Sequence, residues 1–225
     1  MSDLHDVHYE SLRRRMVEQI ASLVLGASES LGKTSLSERV MRAVGRVPRH
    51  LFVPEELTIL AYVDAPLPIG FGKSISQPFM VALLADLLAV EPGQRVLEVG
   101  TGLGYQAAIL AELGADVFTV EIIAELSAGA QRRLADLGYG GISYRIGDGA
   151  RGWPEMAPFD RILVTAAPES FPASLMGQLG PGGRLIVPVG PPDRQTLLAA
   201  WHDAEGRVVT QDVLPVRFSR MVVAH

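Results

Sequence analysis

Arg95-Val96-Leu97-Glu98-Val99-Gly100-Thr101-Gly102-Leu103-Gly104 is a short apolar strand that ends on an acid and runs into three alternating glycines. A helical run, Tyr105 to Leu113, follows at once. About twenty residues past Gly100 a second strand, Asp116-Val117-Phe118-Thr119-Val120, ends on Glu121. Strand, glycine turn, helix, strand and acid form the pattern by which an α/β protein grips an adenosine-like ligand. The glycines let backbone approach the ligand where a Cβ would clash. Glu121 can accept hydrogen bonds from both ribose hydroxyls. The bland alternative is a glycine turn that serves only a tight strand-to-helix connection. Glu121 in register weighs against it.

The spacing separates one adenosine ligand from another. A dinucleotide fingerprint reads G-x-G-x-x-G, with the third glycine inside the helix. Here the pattern is G-x-G-x-G, and Tyr105 stands where that third glycine would be. No Lys or Arg lines the turn to meet a pyrophosphate, and an acid, Glu98, precedes the first glycine. That arrangement suits a ligand with positive charge, such as the sulfonium and amino groups of S-adenosylmethionine. A nicotinamide dehydrogenase fails on both counts.

The 225 residues suit one large α/β domain with an N-terminal extension. We expect a helical extension over 1–60 and a single catalytic unit over 61–225. Hydrophobic residues make up 48% and charged residues 20%, ordinary for a folded globular chain. A net charge of −5 argues against a nucleic-acid surface. The absence of cysteine excludes thiolate chemistry and a disulfide frame. Met1-Ser2-Asp3-Leu4-His5-Asp6 lacks a signal peptide's apolar core, and no apolar run reaches the ~20 residues of a membrane helix. A cytoplasmic monomer is the expectation.

Residues 8–25 read as an amphipathic helix through Leu12, Met16, Ile20 and Leu23/Val24. Ser35 or Ser37 caps a second helix that Pro48 ends. Residues 61–76 carry Pro and Gly with little period, and their apolar content (Ile69, Phe71, Ile75) predicts an ordered functional loop. Gln77-Pro78 opens a helix with a stripe of Phe79, Leu83, Leu84, Leu87 and Leu88. Strands follow at 95–99, 116–120, 142–146, 160–165 and 183–189, alternating with helices near 104–114, 123–137 and 171–180. Such alternation means a parallel sheet covered on both faces. Residues 195–202 and 207–218 close its edge as a hairpin. Ligands sit at the carboxyl ends of such strands. Asp148, between Gly147 and Gly149 after the third strand, can meet an adenine amino group there, or serve as a plain turn residue.

Ile75-Ser76-Gln77-Pro78, Val96 to Gly102, Phe159-Asp160-Arg161-Ile162-Leu163-Val164-Thr165-Ala166-Ala167 and Leu179 to Gly190 together resemble the protein-L-isoaspartate O-methyltransferases. The resemblance covers roughly 36–220. It implies a Rossmann-like class I methyltransferase fold, with a doubly wound, mostly parallel seven-stranded sheet and an antiparallel last strand. It implies S-adenosylmethionine as methyl donor, S-adenosylhomocysteine as product, and the free α-carboxylate of L-isoaspartyl residues in damaged proteins as acceptor. The ester then collapses to a succinimide that reopens partly to aspartate. By the resemblance Ser76 is the active-site residue. Ile69, Gly70, Phe71, Gly72, Glu98, Val99, Gly100, Thr101, Gly102, Glu121, Ile122, Asp148 and Gly149 hold the donor. Val216 and Arg217, in Leu214-Pro215-Val216-Arg217-Phe218, shape the acceptor cleft with Ser76. The bottom-up alternative for Ser76 is an N-cap of the helix at Pro78.

The family often has Gln-Thr before Ile-Ser, whereas Lys73-Ser74 stands here, and Lys73 either attracts a carboxylate or is a solvated loop charge. Some members carry histidines where Phe79 and Val81 stand. These departures bear on peptide preference. A related peptide aspartate methyltransferase with a dedicated tailoring substrate is the nearest alternative, and an adenosyl-binding module without catalysis a more distant one. Gly26 to Thr34 nearly spells a P-loop, but it has one residue too many between its glycines and no strand before it. The five histidines, His5, His8, His50, His202 and His225, show no convincing metal-ligand spacing.

Overall fold

A computed structural model describes residues 2–223, with side chains from residue 7 onward. The expectations for Met1, His225 and the His5 side chain lie outside the described residues. Helices α1 (Ser2–Gly26), α2 (Ser28–Leu31) and α3 (Glu38–Arg46) precede a small hairpin of β1 (Leu67–Gly70) and β2 (Lys73–Ile75). Then come α4 (Pro78–Leu88), β3 (Arg95–Val99), α5 (Tyr105–Glu112), β4 (Asp116–Glu121), α6 (Ala124–Asp136) and β5 (Ser143–Ile146). The chain ends through β6 (Phe159–Val164), α7 (Ala173–Met176), β7 (Leu179–Val189), β8 (Gln195–His202) and β9 (Val208–Val216).

The seven-stranded sheet has the order β5-β4-β3-β6-β7-β8-β9. The first five of these neighbours pair in parallel. β8 runs antiparallel to β7, and β9 antiparallel to β8. The last strand therefore pairs antiparallel as expected, but the one strand opposed to all the others is β8. The order turns back between β3 and β6. That switch point opens a crevice outside their carboxyl ends.

β3 and β4 are buried on both faces because helices cover both. Val96 faces one core with Ile109, Leu110 and Leu134; Leu97 and Val99 face another with Phe118, Phe159 and Ile162. Met16, Ile20 and Val24 of α1 are buried in the same core as Leu83, Leu84 and Leu88 of α4. Ser37 caps α3, its hydroxyl accepting from Val40 N at 3.3 Å.

Two regions differ from the sequence reading. The stretch expected to be irregular contains the β1–β2 hairpin, whose two-residue tip, Phe71-Gly72, has φ of 53° and 66°. Positive φ at both positions is what a tight hairpin of this hand requires. The helix expected over 171–180 is one turn long, because Gly177 follows it and Leu179 already pairs with Phe159. The P-loop-like segment is α2 with Gly32 as its left-handed cap, and Lys33 is ion-paired with Asp86 of α4. No helix among the described residues is long and apolar enough to cross a membrane.

α4 ends on Ala89 at φ 51°, exposed and left-handed. That conformation costs a residue with a Cβ about 1 kcal/mol or more. Ala89→Gly is therefore expected to raise the melting temperature, by a stabilisation of roughly 1 kcal/mol. A lower melting temperature would show that the backbone there is not strained.

Candidate active site

The glycine turn is built around one close approach. Gly100 has φ +100°, and a Cβ on it would stand 2.5 Å from the Thr165 hydroxyl. That hydroxyl lies 3.0 Å from Val99 O and 2.8 Å from Gly100 O, and donates toward them. Thr165 thus ties the end of β6 to the end of β3. Gly104 starts α5 at φ +89°, with Leu134 of α6 2.7 Å from where its Cβ would be. The third glycine of this motif serves helix packing, as the displaced glycine of a dinucleotide fingerprint does.

Three adjoining cavities follow from this turn. The first, about 600 Å³, is lined by Ile69, Lys73, Val99, Gly100, Gly102, Glu121, Ile122, Leu126, Gly149 and Ala166, with Ser219 to Val222 across it. The second, about 410 Å³, reaches Ser76, Thr101, Tyr105 and Gln106. The third, about 1180 Å³, opens between Ser76, Phe79 and Met80 on one side and Leu214 to Ser219 on the other. Ser74 and Thr165 line all three. Val216 and Arg217 therefore share a wall-to-wall cleft with Ser76.

Glu121 is buried at the end of β4, and its carboxylate accepts from Gly102 N at 2.9 Å and Ile123 N at 3.0 Å. It organises the turn and faces the first cavity. Glu98 behaves differently from the expectation of a donor contact. It is fully buried and does not line the cavities. Thr119 donates to it at 2.5 Å and stands 2.6 Å from the Thr101 hydroxyl, so Glu98 supports the turn through two threonines. Burial pushes its carboxyl up to about 8, the Thr119 bond opposes the rise, and the Glu121 charge adds to it. Gly70, Phe71 and Gly72 sit at the exposed hairpin tip, and only Ile69 of that group lines a cavity. Asp148 accepts from Ala150 N at 2.9 Å; its neighbour Gly149, set against Val99, lines the first cavity instead.

Ser76 is not the cap of α4. The cap position is Gln77, which makes no side-chain cap bond. Asp64 does that work from a distance, accepting from Phe79 N at 2.7 Å and from Gln77 Nε2 at 3.1 Å. The Ser76 side chain is left on the wall between the second and third cavities. Lys73 Nζ donates to Arg220 O at 3.2 Å, bridging the hairpin to the C-terminal segment. That segment is also held by Ala167, through Ala167 N to Ser219 O and Met221 N to Ala167 O, each 2.8 Å.

Sequence reasoning missed Ser74, Thr165 and residues 219–222. Thr165 had a usable signal, since it follows a strand at the carboxyl edge of the sheet. Residues 219–222 had none.

The first two cavities fit a cationic adenosyl group. Bare backbone at Gly100, Gly102 and Gly149 lines them, an acid ends β4, and both amide atoms of buried Gln106 lack a protein partner. Among the described residues no cluster of His, Cys, Asp and Glu could hold a metal ion. A doubly wound sheet with a glycine turn at its switch point binds its ligand outside the strand ends, and with a site fitted to a cationic adenosyl group it is of the class I S-adenosylmethionine-dependent methyltransferase type.

A family model described as protein-L-isoaspartate(D-aspartate) O-methyltransferase matches residues 27–224, and the chain belongs to that family. It is 51% identical over 211 residues to protein-L-isoaspartate O-methyltransferase 1 of Polaromonas sp. (strain JS666), covering 94% of this chain and 89% of the relative. It is 49% identical over 221 residues to protein-L-isoaspartate O-methyltransferase 2 of Syntrophobacter fumaroxidans, covering 98% and 90%. A solved protein-L-isoaspartate O-methyltransferase superposes with TM-score 0.76 at 28% identity, over 91% of this chain and 65% of that one. A Plasmodium falciparum structure containing S-adenosyl-L-homocysteine shares the fold, with TM-score 0.74 at 21% identity over 95% of this chain and 98% of that one.

A carboxyl held neutral toward pH 8 ties stability to pH. The raised value means that its contribution is complete below 4.5 and is lost as pH rises through about 8. Glu98→Gln should flatten the decline in melting temperature between about pH 5 and pH 9. Identical pH profiles for the two proteins would remove Glu98 as the cause.

Proposed function

We propose that this protein is a protein-L-isoaspartate O-methyltransferase acting on damaged proteins. The supporting observation is the junction at Ser74 and Thr165, where a cavity suited to the donor opens into a cleft that carries Ser76 and Arg217. S-adenosylmethionine supplies a methyl group on a positively charged sulfur. The acceptor is the isoaspartyl α-carboxylate. With a pKa of about 3–4 it is ionised at neutral pH, so no general base is needed. The new O–C bond forms as the C–S bond breaks, and the electron pair leaves on sulfur.

The chain's own residues align and shield. Glu121 receives the ribose hydroxyls while holding the Gly102 turn. Ser76 donates a hydrogen bond to one acceptor oxygen, and Arg217 draws the anionic peptide into the cleft. Alignment of this kind can lower a barrier by ~7–11 kcal/mol. Opposite charges vanish in the step, so the hairpin and residues 219–222 serve by keeping water out without stabilising either ion strongly. Residues 1–60 act as an extension packed on the catalytic unit. A cytoplasmic monomer that binds neither nucleic acid nor membrane completes the reading.

The deciding experiment compares methyl transfer to matched peptides containing isoaspartate or aspartate. Transfer to the isoaspartyl peptide alone supports repair; transfer to the aspartyl peptide alone would replace it with a tailoring role. Ser76→Ala is expected to cut turnover about tenfold or more while donor affinity stays put. Full activity would remove Ser76 from the reaction. Glu121→Ala should weaken donor binding by one to two orders of magnitude, about 1.4–3 kcal/mol, in calorimetric titration. Unchanged affinity would take the ribose away from Glu121.

A further inference from the structure

Arg49 lies in a 3-10 turn, Arg49–Leu51, outside every motif discussed above. It is fully buried, which for an arginine is exceptional. Among the described residues it forms no ion pair. Its fork joins two backbone carbonyls instead. Nε donates to Ala61 O at 2.8 Å, and Nη2 donates to Ser76 O at 2.7 Å. The guanidinium carbon lies 4.8 Å from the centre of the Tyr105 ring, over its face, and Tyr105 lines the second cavity. Burial lowers the Arg49 pKa, and the nearby Tyr105, Asp64 and Tyr62 oppose that.

A buried charge is costly unless its hydrogen bonds do something an apolar residue cannot. Here one of them grips the peptide plane that follows Ser76. The next residues are gripped too, because Asp64 holds Gln77 and Phe79 N, and Pro78 has a fixed φ. With the 76–79 backbone clamped from both sides, the Ser76 hydroxyl has only rotation about its own Cα–Cβ bond left. Ala61 O, the other anchor, ends the neighbouring turn Glu55–Leu60, so the clamp is referred to a fixed point.

We infer that Arg49 is a positioning residue that aims Ser76 at the acceptor carboxylate. The inference rests on the placement of Ser76 at the acceptor, and the experiment separates the two. Arg49→Met and Arg49→Lys are made alone and together with Ser76→Ala. For each, kcat/KM for an isoaspartyl peptide and the donor Kd are measured on the full chain. Arg49→Met is expected to lower kcat/KM about tenfold in the presence of Ser76, and less than about twofold once Ser76 is alanine. Donor Kd should change less than about twofold in either background. Arg49→Lys, which keeps a buried donor, should recover part of the loss, and it carries the cycle if the methionine variant does not fold. Equal losses with and without the Ser76 hydroxyl would overturn the inference and reduce Arg49 to a structural tie. A matching loss of donor affinity would overturn it as well. If Ser76→Ala alone has no effect, the reading of Ser76 fails, and the role of Arg49 with it.

Discussion

The contact between Gly100 and Thr165 sets the geometry of the whole site. It joins the carboxyl ends of the two strands between which the sheet reverses its order, β3 and β6. Only a glycine fits, because its φ is +100° and a Cβ would lie 2.5 Å from the threonine hydroxyl. The threonine satisfies its own hydroxyl on the carbonyls of Val99 and Gly100, so the strand ends cannot spread. Thr165 also belongs to all three cavities. The same side chain thus closes the crevice at its root and marks where the three cavities adjoin.

The acids show how the fold handles a cationic ligand without leaving a free anion beneath it. Glu121 faces the cavity but shares its charge with two backbone N–H groups. Glu98, a register step away through Thr119, is held toward its neutral form by burial and by Glu121. Two ionised carboxylates so close under one glycine turn would repel each other in a poorly solvated place. With one acid at the wall of the cavity and the other, held toward its neutral form, below it, that conflict is avoided. The acid before the first glycine therefore supports the turn, and the acid on the next strand is the one that faces the cavity.

What could be read in the sequence was local. The strand 95–99, the glycine turn and the acid at 121 lie within one strand-helix-strand unit, so period and punctuation sufficed. Five strands of a parallel sheet followed from alternation and two more from the hairpin signal, whereas the seven-stranded sheet as a whole came from the family resemblance. The β1–β2 hairpin escaped because four- and three-residue strands with Pro68 and Gly70 are too short to show a period. Thr165 and residues 219–222 reach the site only through sheet order and through the pairing of Ala167 with Arg220, which no local pattern encodes. The ambiguity of Ser76 between cap and active residue was likewise insoluble in one dimension. It turns on Asp64, twelve positions earlier, arriving to receive Phe79 N.

That division of labour around Ser76 has a physical logic. A serine that caps its own helix has its hydroxyl engaged and is worth roughly 1 kcal/mol to stability. A serine relieved of capping can turn its hydroxyl to a substrate, but its backbone then loses the tether that the cap supplied. Here two outside residues replace the tether. Asp64 satisfies the helix start, and Arg49 fixes the carbonyl on the other side of the serine. Both come from the stretch between α3 and the hairpin, whose apolar residues are buried in one core with those of α1, α3 and α4. If Ser76 meets the acceptor as proposed, the segment before the hairpin contributes to the chemistry at a distance. On that reading it supplies the frame against which the Ser76 hydroxyl is aimed, in a reaction that has no proton to move and depends on alignment.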